Sequence, residues 1–285
     1  MHSPAYQMRC EIIDRALGFA ALRADRVPLR ATTIALLDTA VDTSHPAFAG
    51  VVITAHGAGA YSAHATAMAS LILGAESDRH SVALHTFQTR LTEGGSAAAQ
   101  AVQIQADLAT ACTLQADLIV LGFEFIGDAP AFVAAIESAL ALPLAAGIPV
   151  FVPAGNHGLI ASHPLLRHPA IVPICMVDAE GRLDHRSAWG PLTAHRGLRA
   201  VGDAVPVAWP PADYRLVSGT SFAAAVAARA FSAVFGRHRS IASHSVTEAL
   251  RRAHPHQRDS LNATRTVPPG FDVWAAYQSL SSSRS

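Results

Sequence analysis

The chain has 285 residues, of which 51% are hydrophobic and only 15% carry a charge. This length suits one large α/β domain with a substantial core. The 21 basic residues balance the 21 acidic ones, so charge gives no reason to expect a nucleic acid or an anionic membrane as a partner.

The cysteines and the N-terminal sequence both favour a cytoplasmic protein. Cys10, Cys112 and Cys175 are odd in number and far apart, which predicts neither a disulfide framework nor a metal site and suits a reducing compartment. Charges are scattered through residues 1–26, so this segment does not have the pattern of a secretory signal. The longest apolar run, 139–155, is interrupted by prolines and a glycine, which indicates a buried helix, turn and strand rather than a membrane span.

The apolar pattern predicts helices and strands that alternate along the chain. An amphipathic helix is expected over 11–24, within an N-terminal extension (1–30) that packs on the core of a single domain (31–278). The elements expected after it are, in order, a strand at 32–37, a helix at 64–73, a strand at 82–87, a loop at 93–96, a helix at 97–111, a strand at 116–122, a helix at 130–146, a strand at 150–154 and a helix at 221–235. This alternation predicts a three-layer α/β fold, with helices on both faces of a mostly parallel sheet.

Four polar residues stand at the ends of these predicted elements: Asp38, His64, Asn156 and Ser221. Taken singly, each has an ordinary structural explanation, such as a turn-capping aspartate or a helix-capping serine. Taken together, their chemistry is complementary. An imidazole can take the proton of a serine hydroxyl, a carboxylate can hold that imidazole in the correct tautomer, and an amide can stabilise the resulting oxyanion.

The segments around these residues resemble those of subtilisin-like serine proteases, the subtilases. The resemblance lies in DTAVD at 38–42, HATAMA at 64–69, AGN at 154–156 and GTSFA at 219–223. Weaker similarity at 121–122, 187–191 and 270–276 extends it over most of the chain. Four motifs in the family's order are a much stronger signal than any one of them.

The resemblance implies a role for each residue. Ser221 would be the nucleophile, His64 the general base and later acid, and Asp38 the carboxylate that orients His64. Asn156 would donate to the oxyanion, together with the backbone N–H of Ser221. Three positions depart from the family pattern: Ala40 and Ala65 replace usual glycines and could strain the backbone, and Ala225 replaces a usual proline.

A narrower resemblance concerns the substrate. Residues 35–48 and 183–190 are similar to the subtilases that mature cyanobactins and other ribosomally made peptides, which implies a precursor peptide with its leader as the partner. Only about 30 residues precede the first predicted strand, too few for the folded inhibitory propeptide usual in the family, so no autocatalytic activation is expected.

The resemblance also implies which residues flank the main substrate pocket, because they occupy the corresponding positions of the family pattern. These residues, the predicted substrate edge, form two short segments: Val120, Leu121, Gly122, Pro153, Ala154 and Gly155. Glu124 follows the first segment and is expected to be a solvated loop carboxylate, with selection of a basic side chain as the less favoured interpretation.

We expect no cofactor. Many relatives carry structural calcium, but no single loop here has the necessary density of acidic oxygens. His157, His163 and His168 follow Asn156 without ligand spacing and are interpreted as loop residues.

Three functions remain open on the sequence. The first is a peptide-bond hydrolase that cuts a precursor peptide. The second is a transpeptidase or macrocyclase that uses the same triad, and the third is a catalytically inactive peptide-binding protein. No feature of the sequence predicts an oligomeric state.

Overall fold

A computed structural model describes residues 4–25, 27, 29–57, 59–74, 81–89, 97–125, 129–158, 163–238, 240–253 and 268–282. The helices are α1 Pro4–Ala16, α2 Phe19–Ala24, α3 Ala63–Leu73, α4 Ala97–Thr113, α5 Pro130–Ala145, α6 Pro191–Arg196, α7 Thr220–Phe235, α8 Ser243–Arg252 and α9 Val273–Ser282. The strands are β1 Thr32–Asp38, β2 Ile53–His56, β3 Val82–Gln88, β4 Leu118–Leu121, β5 Val150–Pro153, β6 Ile171–Val177, β7 Leu198–Val201, β8 Val205–Trp209 and β9 Asp213–Val217. Short 3₁₀ helices occupy Pro46–Phe48 and Pro164–Arg167.

The predicted α/β sheet is confirmed. Seven strands pair in the order β2-β3-β1-β4-β5-β6-β7, and every pair is parallel. Strands β8 and β9 form a separate antiparallel pair. Parallel strands buried on both faces are expected to be continuously apolar, and β6 (IVPICMV) is buried at every position.

Helices cover both faces of the sheet, as the alternation of elements predicted. Alternate side chains of β1 show this directly: Ile34 and Leu36 join the apolar cluster that contains α3 and α7, whereas Ala35 and Leu37 join the cluster that contains α4 and α5. The three layers are therefore helices, sheet and helices.

Strand β1 lies at the point where the order of the sheet reverses. Its neighbours are β3 on one side and β4 on the other, with Asp38 opposite Gln88 and Leu37 opposite Leu121. Ligands of open parallel sheets bind beyond the carboxyl ends of the strands at such a reversal. The last residue of β1, Asp38, thus stands where a functional group is expected.

The N-terminal segment differs from the prediction. The single helix expected over 11–24 is two helices, because Gly18 between them adopts a φ of +78°. Asp14 of α1 binds Arg229 of α7 (Oδ1 to Nη1, 2.7 Å), which fastens this segment to the core. The pattern predicted no element at β2, at β6 to β9 or at α6, α8 and α9. The loop predicted at 93–96 lies outside the described residues. No helix in the described part of the chain is long and apolar enough to cross a bilayer.

Candidate active site

Asp38 and His64 are brought together from two elements. Asp38 ends β1, and His64 is the second residue of α3. His64 Nδ1 lies 2.8 Å from Asp38 Oδ2. The Asp38 side chain is 6% exposed and that of His64 is 38% exposed. The carboxylate is therefore sheltered, while one side of the imidazole remains accessible.

The second carboxylate oxygen of Asp38 is held by the next residue. Asp38 Oδ1 accepts hydrogen bonds from Thr39 N (2.6 Å) and Thr39 Oγ1 (3.1 Å). The Thr39 hydroxyl also contacts the hydroxyl of Ser62. Ser62 caps α3 by accepting from Ala65 N at 3.2 Å. One chain of hydrogen bonds thus connects the end of β1 to the start of the helix that carries His64.

The absence of a side chain on Gly122 leaves room for the carboxylate of Asp38. Gly122 N donates to Leu37 O at 2.8 Å, which places this glycine directly beside the end of β1. A Cβ on Gly122 would overlap Asp38 Oδ2 and would lie 2.5 Å from Asp38 Cγ. A side chain here would therefore displace the carboxylate.

The electrostatic environment of His64 is dominated by two opposing effects. Burial lowers the pKa of its imidazole, whereas the hydrogen bond and the charge of Asp38 raise it, and the net result is a pKa above the ordinary histidine value. The Asp38 carboxylate therefore favours the charged imidazolium, which is the form produced when a base accepts a proton.

Ser221 lies in the first turn of α7, whose N-terminus packs beside His64. The ring centroids of His64 and Phe222 are 5.4 Å apart. Within the described residues the Ser221 hydroxyl makes no hydrogen bond to His64; contacts between nucleophile and base are often long without substrate. The first intrahelical bond shown at this end runs from Ala223 N to Gly219 O (3.1 Å). The N–H of Ser221 precedes this bond and can donate to a ligand where the helix dipole favours negative charge.

Asn156 is held in one orientation by Thr220. Asn156 Oδ1 accepts from Thr220 N (2.8 Å) and from Thr220 Oγ1 (3.2 Å). The same hydroxyl accepts from Gly155 N at 3.3 Å. Because Oδ1 is committed to these donors, the Asn156 NH₂ group is directed away from Thr220 and can donate to an oxyanion.

Sequence reasoning missed several residues that position this site: Thr39, Ser62, Gly122 in its spacing role, and Thr220. A signal existed for Ser62, since a serine just before a predicted helix is a preferred N-cap. No local signal marks Gly122, because its neighbour Asp38 is 84 residues away in sequence.

The predicted substrate edge is only partly at the surface. Val120 and Leu121 are completely buried in β4, so their side chains cannot contact a peptide. Gly122 is taken up by its contact with Asp38, and Pro153 and Ala154 are also buried. Gly155 is buried as well, and the accessible residues at the two strand ends are instead Phe123 and Glu124, which are half-buried, and Asn156, which is exposed.

The expectation that Glu124 is a solvated carboxylate is wrong. Its side chain is only 20% exposed, and its Oε1 lies 3.0 Å from His157 Nε2. The carboxylate faces Gly155, which lies directly before Asn156 and has a φ of +116°. Tertiary packing therefore turns Glu124 toward the site rather than toward solvent.

The departures from the family pattern are accommodated without backbone strain. Among the described residues other than glycine, only Gln115 and Ala204 have positive φ, so Ala40 and Ala65 need no conformation that only glycine adopts easily. Ala225 is wholly buried in α7.

Among the described residues no group of three or more His, Cys, Asp or Glu side chains could hold a metal ion.

Solved structures share this architecture. The prenylagaramide maturation protease PagA superposes with a TM-score of 0.81 at 21% identity, over 92% of this chain and 98% of its own. The PatG macrocyclase in complex with peptide gives 0.80 at 14% identity, over 95% and 97%. A lanthipeptide protease gives 0.80 at 16% identity, over 96% and 95%. The fold is subtilisin-like.

This likeness concerns the fold, because the identities are low. No protein-family model matches the chain, and no curated protein matches it. The subtilisin-like fold nevertheless agrees with the order of Asp38, His64 and Ser221 along the chain, an order that subtilisin shares.

Proposed function

We propose that the protein is a serine endopeptidase of the subtilisin type that processes a ribosomally made precursor peptide in the cytoplasm. The observation that carries this proposal is the 2.8 Å contact between His64 Nδ1 and Asp38 Oδ2 beside the helix that begins with Thr220 and Ser221. An exposed imidazole paired with a sheltered carboxylate, next to a serine at a helix N-terminus, is the arrangement that acyl transfer requires.

In the proposed mechanism each group has one task. His64 Nδ1 donates to Asp38, so Nε2 is the basic nitrogen and accepts the proton of Ser221 as its oxygen attacks the peptide carbonyl. The oxyanion accepts hydrogen bonds from Ser221 N and from the Asn156 NH₂ group. His64 then returns the proton to the departing amine, and water releases the acyl group by the same steps in reverse order.

The choice of a precursor peptide is supported by the similar structures. Two of them are maturation proteases for the peptides prenylagaramide and patellamide, and a third is a lanthipeptide protease. Cys10, Cys112 and Cys175 are free thiols, which agrees with a reducing compartment.

One similar structure is a macrocyclase, which favours a second candidate reaction. In that reaction an amine of the substrate, rather than water, attacks the acyl group on Ser221. The two reactions are distinguished by mass, because the cyclic product is lighter than the linear product by one water molecule.

The test is intact-mass analysis after exposure to a fluorophosphonate, which phosphonylates an activated serine. We expect one adduct in the wild-type protein and none in the Ser221→Ala and His64→Ala variants. Ser281→Ala, which alters an exposed serine of α9, is the matched control and should label normally. A folded wild-type protein that forms no adduct would overturn the proposal in favour of a non-catalytic peptide-binding protein.

A further inference from the structure

We propose that Glu124 makes the enzyme selective for a basic residue, arginine or lysine, on the acyl side of the bond that is cut. The side chain of that residue would bind between the ends of β4 and β5. This inference rests on the proposed function and specifies its substrate class. It starts from the position of one carboxylate that the triad and the oxyanion donors do not use.

In the proposed mode of binding, the side chain of the acyl residue enters beside Gly155, which the Glu124 carboxylate faces. The carbonyl oxygen of the acyl residue points to the Asn156 NH₂ group, and Gly155 is the next residue along the backbone, about 3.8 Å away between Cα atoms. A Cβ on Gly155 would overlap Glu124 Oε2 and lie 3.7 Å from Glu124 Cδ. Because Gly155 has no Cβ, the Glu124 carboxylate can approach the backbone one residue before Asn156.

The neighbouring segment fixes Glu124 in this direction. Phe125 is buried and stacks on His163 at 5.4 Å between ring centroids, while Phe123 packs edge-on against Phe125 at 6.3 Å. With aromatic residues anchored on either side of it in sequence, the carboxylate is held at the protein surface between the ends of β4 and β5. Apolar rings beside a carboxylate suit the long methylene chain and charged end of arginine or lysine.

The carboxylate is available to a cation. In the described part of the chain, only His157 hydrogen-bonds to Glu124, and it does so at Oε1. His157 is 62% exposed, so its ring can turn into solvent when a substrate enters. Arg186 is a cation on the segment that pairs with Gly158, but it forms its ion pairs with Asp184 (2.6 Å) and Asp203 (2.8 Å) rather than with Glu124. Glu124 Oε2 thus accepts no hydrogen bond from a described residue.

Among the described residues, the half-buried Glu124 carboxylate has only the exposed His157 as a partner, so a charged ligand would strengthen its interactions most. Hydrogen bonds to charged groups exceed those between neutral groups, and a favourable one corresponds to about a 10- to 100-fold preference. An acidic side chain in the same pocket would be repelled by Glu124.

The experiment compares tetrapeptide coumarylamides that differ only in the last residue: arginine, lysine, leucine or glutamate. We expect kcat/KM of the wild-type enzyme to be about 10- to 100-fold higher for arginine and lysine than for leucine, with glutamate the poorest. Glu124→Gln keeps the shape and the hydrogen bond to His157 but removes the charge. It should abolish the preference for a basic residue, so that kcat/KM for the arginine and lysine substrates falls to about the value for the leucine substrate, a loss of about 10- to 100-fold.

Glu248→Gln, on the surface of α8, is the matched control and should retain the wild-type preference. A purely structural role for Glu124 predicts that Glu124→Gln keeps it as well, because the His157 contact survives, and this result would overturn the proposal. Equal cleavage of arginine and leucine substrates by the wild type would also overturn it.

Inhibition of the wild type by peptide aldehydes that end in argininal or leucinal gives the same comparison if the variant does not fold. Fluorophosphonate labelling separates the two levels of inference. A protein that labels at Ser221 but shows no preference for basic residues retains the proposed function and loses this inference; one that does not label loses the proposed function itself.

Discussion

Replacing Gly122 by alanine tests whether the Asp38 carboxylate positions His64. The new Cβ would lie 2.5 Å from Asp38 Cγ and 3.0 Å from Asp38 Cβ, distances at which the side chain must move. Asp38 is also bound to Thr39, so it cannot turn without losing those hydrogen bonds or the 2.8 Å contact with His64.

The size of the effect follows from the loss of that contact. Replacing the orienting aspartate of serine proteases lowers kcat by about 10⁴-fold, and a misplacement of about 1 Å in an active site costs about 10²-fold. We therefore expect Gly122→Ala to lower kcat/KM by about 10²- to 10⁴-fold. Overpacking of this kind also destabilises a fold by about 1–3 kcal/mol, so thermal unfolding should be measured alongside.

The assay is the second-order rate of fluorophosphonate labelling at a temperature where every variant is folded. Gly181→Ala is the control for a glycine replacement that leaves Asp38 untouched: no atom lies within 4 Å of the position of its Cβ, although its φ of +79° disfavours alanine. It should lose some stability but, where it is folded, label at the wild-type rate. A double-mutant cycle with Asp38→Ala isolates the cause, because Gly122→Ala should have little further effect once the displaced carboxylate is absent. Wild-type labelling by Gly122→Ala, or equal losses in both backgrounds, would refute this reasoning.

Three further predictions concern single groups. The neutral form of His64 is the base and its pKa is raised, so the labelling rate should increase with pH around a midpoint above 6.5. Asp38→Asn removes the charge that raises this pKa and should move the midpoint down. A midpoint that does not move would contradict the assignment. Thr220→Val removes a donor to Asn156 Oδ1 and should lower kcat about tenfold with KM nearly unchanged, measured by steady-state kinetics against the Ser281→Ala control. Burial raises the pKa of Cys175 to about 12, so mass spectrometry should find this thiol unmodified by iodoacetamide at neutral pH until the protein is unfolded; rapid alkylation of the native protein would show that it is accessible.

The parts of the fold that depend on local pattern were predictable from the sequence. The apolar run of β1 ending at Asp38 and the alanine-rich helix after Ser221 are visible without tertiary information. The parallel sheet follows from their alternation with other elements. Strand β6 carries an equally clear apolar run that was not recognised as a strand. Strand β8 is short and almost wholly buried and β9 is mostly exposed, so neither has the clear alternation of a half-buried strand.

The surroundings of Glu124 were harder to predict because they depend on contacts between distant segments. Whether Val120 or Glu124 is accessible is decided by how β4 and β5 end side by side, and no local pattern reports this. Composition suggested a solvated Glu124, since charged residues are usually exposed. The contact with Gly155, 31 residues further along, overrides that tendency.

Helices α3 and α7 carry His64 and Ser221 at adjacent N-termini and pack against each other through the apolar core. In the proposed mechanism the reacting groups are thus carried by two helices that pack in the core, whereas Glu124 and His157 stand on loops at the ends of β4 and β5. Under the proposed function, substitutions in these loops would change the choice of peptide at little cost to folding. Substitutions within α3 or α7 would alter stability and chemistry together. Such a division would let proteases of the proposed type act on different precursor peptides while the bond-breaking step stays constant.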